Sequence, residues 1–198
     1  MIDLVLTFLN TQLDSYLRSK LDPTNSNAFI QLANIAWNDT ETSGGGGNNL
    51  PSNAFITLVN IEEERLSKSP DNFVRQGTGT LYKYPRVFLN LYILFAVNLS
   101  SYTESLKRLS FIIQFFQFQP VFVPVSYPSL PAGIDKLILD LHTLSFQDLN
   151  NLWGILGSKY LPSVMYKIRM VSISEEFVFG DAPLIHQIAI DETGIQAS

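Results

Sequence analysis

The sequence predicts a single α+β domain, with a twisted sheet, mixed or antiparallel, flanked by an N-terminal helix, a long central helix and a shorter helix in the C-terminal half. Three observations predict it. Val87–Asn98 (VFLNLYILFAVN) is apolar on both sides of an extended chain: Leu89, Leu91, Ile93, Phe95 and Val97 face one way, and Phe88, Tyr92, Leu94 and Ala96 the other. Only a strand covered on both faces carries that pattern without exposing a broad apolar surface. Tyr102–Phe118 follows at once with helical spacing, a Ser101/Glu104 capping box and Pro120 as its stop. Finally, 198 residues that are 46% hydrophobic and 16% charged suffice for one substantial core, and 14 Phe with 8 Tyr make it aromatic.

In chain order, Ile2–Leu21 is an amphipathic helix with Ile2, Val5, Leu6, Leu9, Leu13, Tyr16 and Leu17 in one stripe. Asp3 in its first turn and Arg18 and Lys20 in its last complement the helix dipole, and Asp22-Pro23 ends it. A strand over Phe29–Ala36 and another over Ala54–Ile61 are expected to run antiparallel across the glycine-rich connection 38–53. Glu62–Arg65 ends the second strand, and Leu66–Pro85 reads as a long loop with a hairpin tip at Gln76–Gly79. In the central helix, Tyr102, Leu106, Leu109, Ile113 and Phe116 form the expected stripe, widened by Phe111, Phe115 and Phe118.

Beyond Pro120, Val121–Val125 is a short strand that Pro124 confines to an edge. Tyr127–Gly133 is a loop, and Lys136–Leu144 alternates as a half-buried strand. Ser145 caps a helix over Phe146–Leu156, with Leu149, Leu152, Trp153 and Leu156 inward and Gly157 as a left-handed cap. Val164–Ile173 is the next strand, Glu175–Gly180 a connection and Leu184–Ile190 a last strand. Residues 1–173 thus form the domain, and 174–198 an extension ending in a tail.

Composition removes several kinds of chemistry. With no cysteine, there is no disulfide, thiolate metal site or cysteine nucleophile. A net charge of −5 with scattered basic residues argues against nucleic acid. The longest apolar run falls short of a membrane helix, and Asp3 sits where a signal peptide needs positive charge, so a soluble cytoplasmic chain is expected. Gly44–Gly47 is followed by Asn48-Asn49-Leu50-Pro51 rather than the Lys-Ser/Thr of a phosphate loop, and reads as a connection. The only histidines, His142 and His186, have no ligand spacing, and Asp135 with Asp140 is an unremarkable pair in an acidic chain. No catalytic residue, metal or cofactor is nominated, and a protein that works by contact fits better than an enzyme.

Three stretches carry a resemblance: Leu58–Arg65 (LVNIEEER), Val87–Ala96 and Leu149–Arg169 (LNNLWGILGSKYLPSVMYKIR). In this order and spacing they resemble the cap, or tail-terminator, proteins of extracellular contractile injection systems of the antifeeding-prophage type. The resemblance runs from Met1 to about Ile173, weakening across 39–53 and 66–83. It implies a noncatalytic α+β domain that forms a sixfold ring on the last layer of the inner tube, engages the end of the sheath and stops polymerisation. The implied partners are other copies of the chain, the tube protein and the sheath protein, without nucleic acid or membrane. The particle would be assembled in the bacterial cytoplasm and released. A tube-end adaptor, a sheath-completion component, or a small ligand-binding α/β domain using the glycine-rich loop are the alternative readings.

Candidate contact residues follow. Phe111, Phe115 and Phe118 are candidates for a subunit seam, the alternative being complete cover by the sheet. Glu62, Glu64 and Arg65 are candidates to face Lys167 and Arg169 of a neighbouring copy. The edge at Val121–Val125 is a candidate to accept or refuse a sheath strand. Asn90, Tyr92, Trp153, Gly157, Tyr160, Pro162 and Tyr166 belong to the resembling stretches, and packing of helix on sheet with a tight turn accounts for the last five. Deleting Gly44–Gly47 is expected to leave the melting temperature of the chain unchanged within a few degrees; loss of the cooperative transition would mean that this connection supports the fold.

Overall fold

The computed structural model describes residues 1–36, 51–64, 73–76, 79–83, 87–157, 159–173 and 178–182. In chain order the elements are α1 (Ile2–Leu21), β1 (Ile30–Leu32), β2 (Asn53–Glu63), β3 (Phe73–Gln76), β4 (Gly79–Lys83), β5 (Val87–Asn98), α2 (Tyr102–Phe118), β6 (Val121–Phe122), β7 (Lys136–His142), α3 (Phe146–Leu156), β8 (Ser163–Ile173) and β9 (Val178–Ala182). Six strands form a mixed sheet in the order β1-β2-β5-β8-β7-β6, and β3-β4-β9 form a second sheet of three. The α+β class with three flanking helices is as expected.

The helix bounds of α1, α2 and α3 and the span of β5 coincide with the sequence reading, because each has a local stop. The amide and hydroxyl of Thr24 donate to Asp22 Oδ1 at 3.0 and 2.6 Å, turning the chain after α1 and holding that carboxyl below its ordinary range. Ser101 Oγ accepts from the Glu104 amide, and Ser145 Oγ accepts from the Asp148 amide at 3.1 Å while donating to its carboxylate at 2.6 Å. Gly157 closes α3 at φ 63°, a conformation that would strain any residue with a Cβ.

The two faces of β5 build two cores. Ala54, Ile56, Leu91, Ile93, Phe95, Tyr166 and Ile168 lie on one face, under Leu9, Leu13 and Leu17 of α1 and Ile112 and Phe116 of α2. Phe55, Leu94, Ala96 and Met165 lie on the other, under Leu152 and Trp153 of α3. Phe116 is the hinge of the larger core: its ring lies 5.2 Å from Phe95, 5.0 Å from Tyr166 and 5.0 Å from Phe115. From Phe115 the aromatic contacts continue to Tyr16 at 5.0 Å and Phe122 at 6.3 Å, and from Phe122 to Phe8 at 5.5 Å and Tyr127 at 4.9 Å. These edge-on and tilted rings tie both helices, three strands and the loop at Tyr127 into one packed volume.

The edge strand β1 is held by a polar clamp. Asp14 Oδ1 accepts from the Phe29 amide at 2.7 Å, while Oδ2 accepts from Arg18 at 2.9 Å. Arg108 Nη1 donates to the Phe29 carbonyl at 3.0 Å, and both guanidiniums lie over the Phe29 ring. Burial pulls the Arg108 pKa below its ordinary value.

Four expectations are corrected. First, β1 runs parallel to β2, not antiparallel, and spans only Ile30–Leu32. Residues 33–52 lie between the two strands, long enough for a crossover, and Asn34 ends β1 by accepting the Ala36 amide in a local turn. Second, the expected loop 66–85 contains β3 and β4, paired from Phe73↔Tyr82 to Gln76↔Gly79 around the expected tip. Third, part of the expected connection 175–180 is β9, which pairs with β4, whereas 184–190 lies outside the described residues. Fourth, the buried line of α2 is Ser105, Ile112, Phe115 and Phe116, leaving Tyr102 and Leu106 exposed. Packing on α1 as well as on β5 and β8 rotates the helix away from a simple sheet-facing stripe.

Phe116→Ala would open a cavity among three rings at a site 1% exposed, and is expected to cost about 3–5 kcal/mol in urea unfolding.

Candidate functional site

Among the described residues, α3 covers one end of the second face of the sheet. At the other end the register brings polar residues of β2, β5, β8 and β7 side by side. Asn60 and Lys167 flank Tyr92, Glu62 and Arg169 flank Asn90, and Asp140 follows Lys167. A β-bulge between Leu58 and Asn60 makes this arrangement. In an unbroken ladder Asn60 and Glu62 would fall on the face of Leu91 and Leu89, over the larger core. The extra residue moves them to the open face.

Side chains in this row are paired within the chain. Tyr92 Oη donates to Glu62 Oε2 at 2.8 Å, Asn90 Nδ2 donates to Glu64 Oε2 at 3.0 Å, and Arg169 Nε donates to Asp140 Oδ2 at 2.8 Å. The Lys167 ammonium lies 5.6 Å from the centre of the Tyr92 ring, and His142 meets that ring edge-on at 5.1 Å. The Glu62 hydrogen bond, then burial, then the Glu62 and Glu64 charges raise the Tyr92 pKa.

Beside the row, α3 walls a groove of about 420 Å³ whose floor includes Asn60, Glu62, Tyr92 and His142 and whose wall includes Asp148, Asn151 and Ile155. Neither Glu62 nor Asp148 is in an ion pair among the described residues. Phe146 is 92% exposed and Ile155 83%, so two large apolar side chains stand on the outside of α3 among polar ones, and Tyr160, beyond the helix, is 62% exposed. Gly154 lies in its last turn, where a Cβ would meet nothing within 4 Å. Glycine there costs the helix about 1 kcal/mol against alanine.

The sequence-expected residues are thus distributed as follows. Glu62, Glu64, Asn90, Tyr92, Lys167 and Arg169 share the second face, where Asn90 is buried at 3% exposure and Glu62 and Arg169 are exposed, while Arg65 lies outside the described residues. Phe115 is 9% exposed in the core of its own chain and Phe111 is half-buried, whereas Phe118 is 85% exposed. Trp153 and Tyr166 are buried, and Tyr160 packs edge-on against Trp153 at 5.8 Å. Pro162 O accepts from the Val97 amide at 3.0 Å, joining the turn after α3 to β5. Asp148, His142 and Ile155 were missed; the exposed apolar residues outside the inward stripe of α3 were the available signal. Among the described residues no group of three His, Cys, Asp or Glu side chains could hold a metal, and no helix is long and apolar enough to cross a membrane. Among the described residues the arrangement offers surfaces suited to contact.

The family of the Pvc16 N-terminal domain matches residues 4–187. The chain belongs to this family. No match to a curated protein sequence is found. Two solved structures are similar to this member of the Pvc16 N-terminal domain family. One is the PVC sheath/tube terminator of an extracellular contractile injection system in its extended state, with TM-score 0.57 and 17% identity over 96% of this chain and 63% of that one. The other is the anti-feeding prophage cap, a tube terminating cap, with TM-score 0.56 and 12% identity over 92% of this chain and 60% of that one. At these identities the likeness is one of fold, and the chain spans less than two thirds of the length of either protein.

Tyr166, 3% exposed, has its pKa pushed up to about 12 by burial from an ordinary 10.0. A raised folded-state pKa means stability that is fully present below pH 10 and lost as pH rises through 12. Tyr166→Phe is therefore expected to flatten the fall of unfolding free energy between pH 10 and 12, as measured by urea titration; an unchanged slope would contradict the assignment.

Proposed function

We propose that this chain is a structural terminator of a contractile injection particle, sitting as a ring of copies on the last layer of tube and sheath and ending their growth. The observation that carries the reading is family membership over residues 4–187, supported by the fold shared with a sheath/tube terminator and a tube terminating cap. Its work is contact, without catalysis or cofactor, and its partners are the tube and sheath proteins. Assembly takes place in the cytoplasm of the producing cell, before release of the particle.

Physical features of the chain suit that role. A terminator must match the growing end on one side and offer no copy of that end on the other. The edges of the six-stranded sheet are only three and two residues long, at β1 and β6. Two residues beyond β6 stands Pro124, which has no amide proton. Edges this short give little template for an added strand, so they refuse further strand pairing rather than invite it.

Deleting the chain and imaging particles by electron microscopy tests the reading. Tubes of uncontrolled length or particles with open ends are expected. Particles of uniform length with both ends closed would overturn it, and a complete absence of particles would place the chain at an earlier step.

A further inference from the structure

Two exposed patches lie on opposite sides of the six-stranded sheet. On the side of the larger core, the outer face of α2 carries Leu106, Lys107 and Phe118, with Leu106 42% and Phe118 85% exposed. On the other side, α3 carries Phe146 and Ile155, the latter lining the groove beside the polar row. Within α3, Gly154 weakens the helix, yet its own chain leaves the space above it empty. A notch of that kind beside the exposed Ile155 lets another helix come close.

Charge selects the occupant. The groove is lined by Glu62 and Asp148, and no cation of the described residues pairs with either. Two α3 faces pressed together about a twofold axis would oppose those carboxylates to themselves. The outer face of α2 instead brings an ammonium at Lys107, whose own-chain partner Glu104 is 4.0 Å away with both side chains 54% exposed. That pair is loose enough to exchange for a better one.

We propose that the α3 notch and groove of one copy receive the outer face of α2 from a second copy of this chain, with Lys107 entering between Glu62 and Asp148. The contact joins two different surfaces, so it is head-to-tail and repeats from copy to copy until rotation closes it into a ring. It rests on the ring reading above and supplies its seam.

The chain has no cysteine of its own, so a Leu106→Cys/Ile155→Cys double variant reports this contact without background. Under mild oxidation, both the purified chain and particles assembled with it are expected to give a ladder of disulfide-linked multimers, with neither single variant doing so. Adding Gly154→Arg, whose side chain enters open space in the free chain, should abolish the ladder while leaving the melting curve in place. Lys107→Glu should weaken assembly about tenfold, and Glu62→Lys in the same chain should restore it. Absence of a ladder in both samples, or cross-linking of the Ile155→Cys single variant to itself, overturns the seam. Light scattering separates that failure from failure of the ring: multimers without a ladder leave a ring with another seam, whereas a strict monomer both free and on particles removes the ring too.

Discussion

A strand that is apolar on both sides must be buried on both sides, and β5 imposes that requirement on everything around it. β2 and β8 satisfy its backbone along both edges, while α1 with α2 covers one face and α3 the other. The larger core gathers its aromatic rings around Phe116, so the angle of α2 is set by α1 and the sheet together. That compromise leaves Leu106 and Phe118 outside.

Among the described residues α3 covers only part of the second face, and the polar row lies beyond it. Its formation depends on the bulge in β2, which changes which side of the strand Asn60 and Glu62 occupy. The same face then offers carboxylates, a phenol, a lysine and an arginine in register across four strands, walled by a helix with apolar residues turned outward. Surfaces of this kind suit assembly: charge sets the register of partners, and apolar side chains supply area. The fold that carries this surface is shared with the two terminator structures.

Much of the fold was legible because its elements carry local signals. Ser101, Ser145, Gly157, Asp22 and Pro120 mark helix ends by chemistry that acts within a few residues. The periodicity of 87–98 assigned both faces of β5 correctly. The second sheet was legible only at the tip of the β3–β4 hairpin, since all three strands are short and β9 pairs with β4 from about a hundred positions away. The direction of β1 was misread because two strands joined by a glycine-rich stretch suggest a hairpin, whereas the length of the connection permits a crossover. The site was half legible. Glu62, Tyr92, Lys167 and Arg169 were each visible as residues, but their sharing of one face depends on strand order and on the bulge. The groove beside α3 follows from tertiary placement alone.

The most direct test of the account is a cryo-EM reconstruction of the particle end distal to the baseplate. It should show this fold as a closed ring on the last layer of tube and sheath, with the partly covered sheet face and α3 turned toward the neighbouring subunit. Density for the chain elsewhere in the particle, or a distal end closed without it, would contradict the account.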